Sequence, residues 1–170
     1  MAFSIVKRYR EYRINAINEF YLHINDLLEQ ESVQQLDDFI QHFCHSRLKH
    51  SMDVAYYSFF IAKIFGWDAR STARAGLLHD LFLYDRYNED CDHKNHTKNH
   101  PIIALENARK ITELNDIEAN IIRRHMWLAT LVPPRYKEGY IVTFVDKYCA
   151  AKELFQGMLS GHKEPVKAIG

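Results

Sequence analysis

From Ile5 to Leu28 the apolar positions Ile5, Val6, Tyr9, Tyr12, Ile17, Phe20, Tyr21, Ile24, Leu27 and Leu28 recur at three- and four-residue steps, which lines one face of a long helix. Its other face is charged. A second, short helix is predicted over Val33 to Phe43. The run Leu48 to Phe65 is dense in aromatic and aliphatic side chains and stops at Gly66, a residue suited to the left-handed turn that closes a helix. A further helix is predicted from Asp68 or Arg70 to Leu83. The polar stretch Tyr84 to Asn99 has no period and reads as a loop, a candidate lid. Pro101 suits the first position of a helix reaching about Ile111, and Asn115 or Asp116 suits the cap of one ending at His125 or Met126. Pro133-Pro134 breaks the chain before a last helix from Glu138 to about Leu159.

No segment alternates as a strand does, and no repeat or low-complexity tract is present. The expected class is all-α: one structural domain, a bundle of about six to eight helices. Residues 1–43 are expected to pack as N-terminal helices on a core spanning 44–160, with 161–170 a frayed tail.

At 170 residues, 47% hydrophobic and 13% aromatic, the chain is long and apolar enough for one sizeable core. Lys+Arg and Asp+Glu balance at 22 each, so no global field draws the protein to nucleic acid or an anionic membrane, and any phosphate affinity is local. Lys7, Arg8, Arg10 and Arg13 make the first helix basic at its start, which leaves a membrane-surface or partner role open beside simple packing. Cys44, Cys91 and Cys149 are odd in number and far apart, which argues against a disulfide framework and a zinc knot and suits a reducing cytosol. The N-terminus turns charged before an apolar signal core could form, and no segment approaches a membrane span. A soluble, cytoplasmic protein is expected, with a homodimer open.

His79-Asp80 interrupts the apolar run Ala75 to Leu83 with an imidazole and a carboxylate. An unpaired buried carboxylate costs several kcal/mol, so a compensating partner is required, and a divalent cation supplies it well. Further ligand-type residues stand on other predicted helices: His50, His100, His125 and Asp146. Ligands spread in this way converge only in a helical bundle.

The order His, His-Asp, Asp, with Arg47-Leu48-Lys49-His50-Ser51, Leu77-Leu78-His79-Asp80 and Phe144-Val145-Asp146-Lys147 around them, resembles the HD-domain superfamily of metal-dependent phosphohydrolases over about residues 44 to 155. The resemblance implies a helical bundle of the HD-domain type in which His50, His79, Asp80 and Asp146 hold one ion. In members with a second metal, two histidines lie between the doublet and the last Asp, and His100 and His125 occupy those places. Asp80 then bridges two ions. Some two-metal members carry consecutive histidines at the later position; here Met126 follows His125, which implies a more open second site.

Imidazole and carboxylate ligands without thiolate suit iron or manganese first, with Zn, Co, Ni or Mg as alternatives. The implied reaction is hydrolysis at phosphorus by a metal-activated water, with His79 and Asp80 in the catalytic set, on a small phosphorylated metabolite such as a nucleotide or dinucleotide. Arg47 and Lys147 are the first choices for binding substrate phosphate, with Arg124 and Arg135 after them and Lys94, Lys98 and Arg123 as further basic candidates. Arg47 is equally suited to a buried ion pair with Asp80 or Asp53. His96 competes with His100 as a ligand, and Tyr84, Trp127 and Tyr136 are candidates for stacking on a base. The competing function is a non-catalytic domain that senses a nucleotide or docks a partner.

Overall fold

The computed structural model describes residues 2–42, 45–85 and 95–160. Most of the expected lid, Cys44, Cys91, Lys94 and the expected frayed tail lie outside the described residues. The chain runs α1 (Ala2–Leu28), α2 (Glu31–Gln34), a 3₁₀ turn (Gln35–Asp38), β1 (Ile40–His42), β2 (His45–Ser46), α3 (Arg47–Phe65), α4 (Ala69–Leu78), α5 (His96–Ile111), α6 (Asp116–Arg124) and α7 (Lys137–Leu159). The all-α expectation holds.

Capping residues explain where α3, α4 and α6 begin and where α3 ends. Ser46 accepts the Lys49 amide at the start of α3, and Gly66, at φ 66°, closes it in the left-handed conformation. Asp68 accepts the Ser71 amide at the start of α4. Asn115 and Glu118 form a reciprocal capping box on α6.

The layout centres on α4, whose residues Ser71 to Leu78 are all buried. It packs on α3, α6, α1 and α7. Gly76 allows the tightest approach, since a Cβ there would lie 2.9 Å from Ala55 Cα on α3. From α1, Ala16, Phe20, Ile24 and Leu27 enter the core, as the helical period predicts. Arg74 ties four segments together: its guanidinium donates to the His23 carbonyl at 2.9 Å, to Asp26 at 2.6 Å and to Thr112 Oγ1 at 3.0 Å, and its Nε lies 3.3 Å from Glu118.

Three expectations are corrected. The predicted helix over Val33 to Phe43 is instead the short α2, a 3₁₀ turn and β1, which pairs antiparallel with β2. Strands this short carry no readable alternation. The helix predicted to reach Leu83 stops at Leu78, and His79 caps its end. Pro101 lies inside α5 instead of opening it, since the chain makes a helical turn from His96 before the proline. Inside a helix a proline forfeits the bond its N–H would donate and crowds the carbonyl four residues back, here that of Thr97, so the turn ahead of Pro101 carries a cost. Phe65, the last residue of α3, is 62% exposed, its ring 5.2 Å from that of Trp67.

Candidate metal centre

His50 sits in the first turns of α3, His79 at the end of α4 with Asp80 next to it, His100 in α5, His125 at the end of α6 and Asp146 within α7. Five helices therefore deliver six side chains to one place. His79, the C-cap of α4, keeps helical backbone angles, and its side chain still meets that of Asp80, Nε2 lying 3.6 Å from Oδ2. The chain turns there, with the Phe82 amide donating to the Asp80 carbonyl at 2.8 Å.

The distances are short throughout. His50 Nε2 is 3.1 Å and His79 Nε2 3.6 Å from Asp146 Oδ1. On the other side, His79 Nε2 is 3.6 Å from Asp80 Oδ2, while His100 Nε2 and His125 Nε2 stand 3.3 and 3.5 Å from Asp80 Oδ1. Two sets of donor atoms lie close enough to share an ion: His50, His79 and Asp146, and His79, Asp80 and His125. His79 belongs to both.

Three features fit this site to divalent cations. Every imidazole has its Nδ1 facing an acceptor: Gly76 O for His79 at 2.7 Å, His96 O for His100 at 2.9 Å, Ile122 O for His125 at 2.9 Å and Glu153 for His50 at 2.9 Å. Donation from Nδ1 selects the tautomer with its Nε2 lone pair toward the centre, the form that ligates. Secondly, His79 Nε2 and Asp80 Oδ1 are buried with no hydrogen-bond partner, a cost that coordination removes. Thirdly, His100 Nε2 and His125 Nε2 lie 2.9 Å apart although both rings can donate elsewhere, and a shared cation resolves the clash of lone pairs.

Electrostatics follow from this crowding. Burial opposes charge on His50, but hydrogen bonds that its ring donates to Asp146 and Glu153 outweigh it and raise its pKa to about 10. Burial raises the carboxyls of Asp80 and Asp146, yet the surrounding imidazoles hold both well below the usual range. His100 moves the opposite way: burial and neighbouring His125 lower it to about 3 against the pull of Asp80.

A cavity of about 240 Å³ opens on this centre, lined among others by Gln41, Asp80, His100, His125, Asp146 and Lys147. Lys147 stands at its side with Nζ 3.7 Å from Asp146 Oδ2 and 3.5 Å from the His125 carbonyl. His96 also lines it, stacked on His100 at 4.7 Å, so the two competitors are neighbours. Tyr84 hydroxyl lies 3.1 Å from His96 Nδ1.

Arg47 is put to another use than phosphate binding. It is fully buried, donating from Nε to Gln41 Oε1 at 3.0 Å and from Nη1 to the Phe82 carbonyl at 2.6 Å, with its guanidinium 3.6 Å from the Phe82 ring centroid. Its position beside His50 in sequence suggested the site, but its side chain points into the loop after the doublet. Neither suggested ion pair is its arrangement, since Asp53 pairs with Lys49 and Asp80 is reached through Gln41. Arg135 lines neither cavity; its amide bonds Asn120 and its guanidinium lies over Tyr136. Arg124 lines a neighbouring cavity.

Two residues escaped the sequence reading. Gln41 Nε2 donates to Asp80 Oδ2 at 2.7 Å, and Glu153 orients His50. Neither has a local signal, because their partners lie 39 and 103 residues away.

A helical bundle that gathers four imidazoles and two carboxylates defines a class of protein with a buried His/Asp centre. The HD domain family model matches residues 47–151, more than half of the chain, and the chain belongs to that family, whose members are generally metal-dependent hydrolases. No curated protein and no solved structure matches the chain.

Proposed function

We propose that this chain is a metal-dependent phosphohydrolase acting on a small phosphorylated metabolite, a nucleotide or dinucleotide. The supporting observation is the orphaned pair His79 Nε2 and Asp80 Oδ1, buried and turned toward imidazoles of matching tautomer. His50, His79 and Asp146 would hold one ion, and Asp80, His100 and His125, with His79 near, a second, with iron or manganese preferred by this donor set. Bound divalent ions supply Lewis acidity toward a phosphoryl oxygen and acidify water at neutral pH.

The chain's own residues supply position and charge. Gln41 keeps Asp80 turned by holding Oδ2, which leaves Oδ1 toward His100 and His125. Lys147, part-exposed at the cavity, is placed to meet a phosphate oxygen as a point charge. No helix among the described residues is long and apolar enough to cross a membrane.

The test is elemental analysis of the purified protein followed by assay on phosphate monoesters and diesters. Metal-loaded wild type turns over at least one class, and His79→Ala and Asp80→Asn lose both metal and turnover. Tight nucleotide binding without any conversion would instead identify a sensor.

A further inference from the structure

Beside the metal centre lies a second cavity, of about 450 Å³. Its wall carries three cations, Lys98 from α5 and Arg123 and Arg124 from the last turn of α6, together with apolar Ile102, Met126 and Leu131. Among the described residues no acid lines it, and none of the three cations has an ion pair or side-chain hydrogen bond. The bland account is that basic residues at the end of α6 complement its dipole. That covers the arginines but not Lys98, which stands in the first turn of α5, where a cation faces the positive end of a helix. Three like charges gathered over an open space, one of them against a helix dipole, are stabilised by an anion.

The two cavities adjoin. Met126 lines both, and the pairs Thr97-Lys98 and His125-Arg124 each place one residue on the metal-centre cavity and its neighbour on the basic one. One ligand can therefore reach both.

We propose that the basic cavity is a second anion subsite, and that the substrate is a phosphate compound carrying a further phosphoryl group beyond the one that reacts, with an apolar portion against Ile102, Met126 and Leu131. This deepens the hydrolase reading and rests on it for the first phosphate. Arg123 and Arg124 offer planar donor forks for phosphate oxygens, and Lys98 adds a mobile point charge.

The experiment compares metal-loaded wild type and Arg123→Gln/Arg124→Gln on adenosine 5′-monophosphate and adenosine 3′,5′-bisphosphate. Wild type is expected to favour the bisphosphate in kcat/KM by about tenfold or more, as two charge-assisted contacts allow. The double variant brings that ratio close to one, Lys98→Gln lowers it in part, and Arg123→Lys/Arg124→Lys, which keeps the charges but loses the forks, retains an intermediate ratio, which separates lost charge from lost fold. A calorimetric titration of chelator-stripped protein with the bisphosphate gives a second readout, with binding that the double glutamine variant abolishes. If wild type cleaves both compounds with equal kcat/KM, and the glutamine changes leave ratio and binding untouched, the subsite is wrong while the hydrolase reading stands. If the bisphosphate binds through the arginines but nothing is cleaved, the subsite stands and the hydrolase reading fails.

Discussion

Gln41 Nε2 donates to Asp80 Oδ2 at 2.7 Å while its own Oε1 accepts from Arg47 Nε at 3.0 Å. The amide is thus locked in one orientation by a buried guanidinium, and it passes that order on to the carboxylate at the centre. Gln41→Ala is expected to weaken metal affinity by about 10–100-fold, the usual cost of losing a partner that orients a ligand. Metal titration of the stripped protein reads this directly; unchanged affinity would show that Asp80 needs no such support.

Arg47 itself is a stability element. Arg47→Ala empties a fully buried site and leaves Gln41 Oε1 and the Phe82 carbonyl without this donor, for a loss of about 3–5 kcal/mol. Urea denaturation of variant and wild type side by side gives the number. A loss below about 1 kcal/mol would mean water reaches these acceptors.

Glu153 is expected to act through His50. Glu153→Leu removes the acceptor on Nδ1 and frees the ring to take the wrong tautomer, lowering metal affinity by about 10–100-fold, whereas Glu153→Gln keeps a carbonyl acceptor and loses less. Equal effects of the two changes on metal titration would refute tautomer control.

Gly76 links packing to the centre. Gly76→Ala drives a Cβ to 2.9 Å from Ala55 Cα, backbone that has little room to move, and should cost about 1–3 kcal/mol. The same residue's carbonyl holds His79 Nδ1, so metal affinity should fall with stability. A variant that is destabilised yet binds metal as wild type would separate the two.

Cys149 predicts a pH dependence. Burial, with Glu153 and Asp53 adding, pushes its thiol up to about 12 from 9.0. The folded pKa lies above the unfolded one, so the unfolded chain releases the proton first and stability declines as pH rises from about 9 toward 12, by at most about 1.4 kcal/mol per pH unit. Under reducing conditions Cys149→Ala should make this limb shallower in urea unfolding over roughly pH 8 to 10.5, the remaining slope belonging to other groups such as His50, raised to about 10. At neutral pH, peptide mapping after alkylation should find Cys149 modified only on unfolding.

The helical class, most of α1, the ends of α3 and the cap of α6 were legible from the chain alone. Each depends on neighbours within a few residues: a three- and four-residue apolar period, Gly66 in a left-handed turn, Asn115 with Glu118. The candidate His/Asp cluster was legible for a related reason, since imidazoles and carboxylates in apolar runs demand a partner. Boundaries failed where the local signal was weak. The hairpin of β1 and β2 is too short for a period, and the polar residues ahead of Pro101 hid the first turn of α5.

Depth and pairing across the chain were not legible. Arg47 and Lys147 each stand close to a ligand in sequence, yet one is fully buried against carbonyls and the other lines the cavity. Residue order alone, then, specifies which groups want burial and which helices carry them, because helical periodicity and capping are local. Only the tertiary packing decides that Gln41 and Glu153 meet those groups, and that α5 and α6 enclose a basic cavity, because desolvation and hydrogen-bond geometry depend on which helices come together.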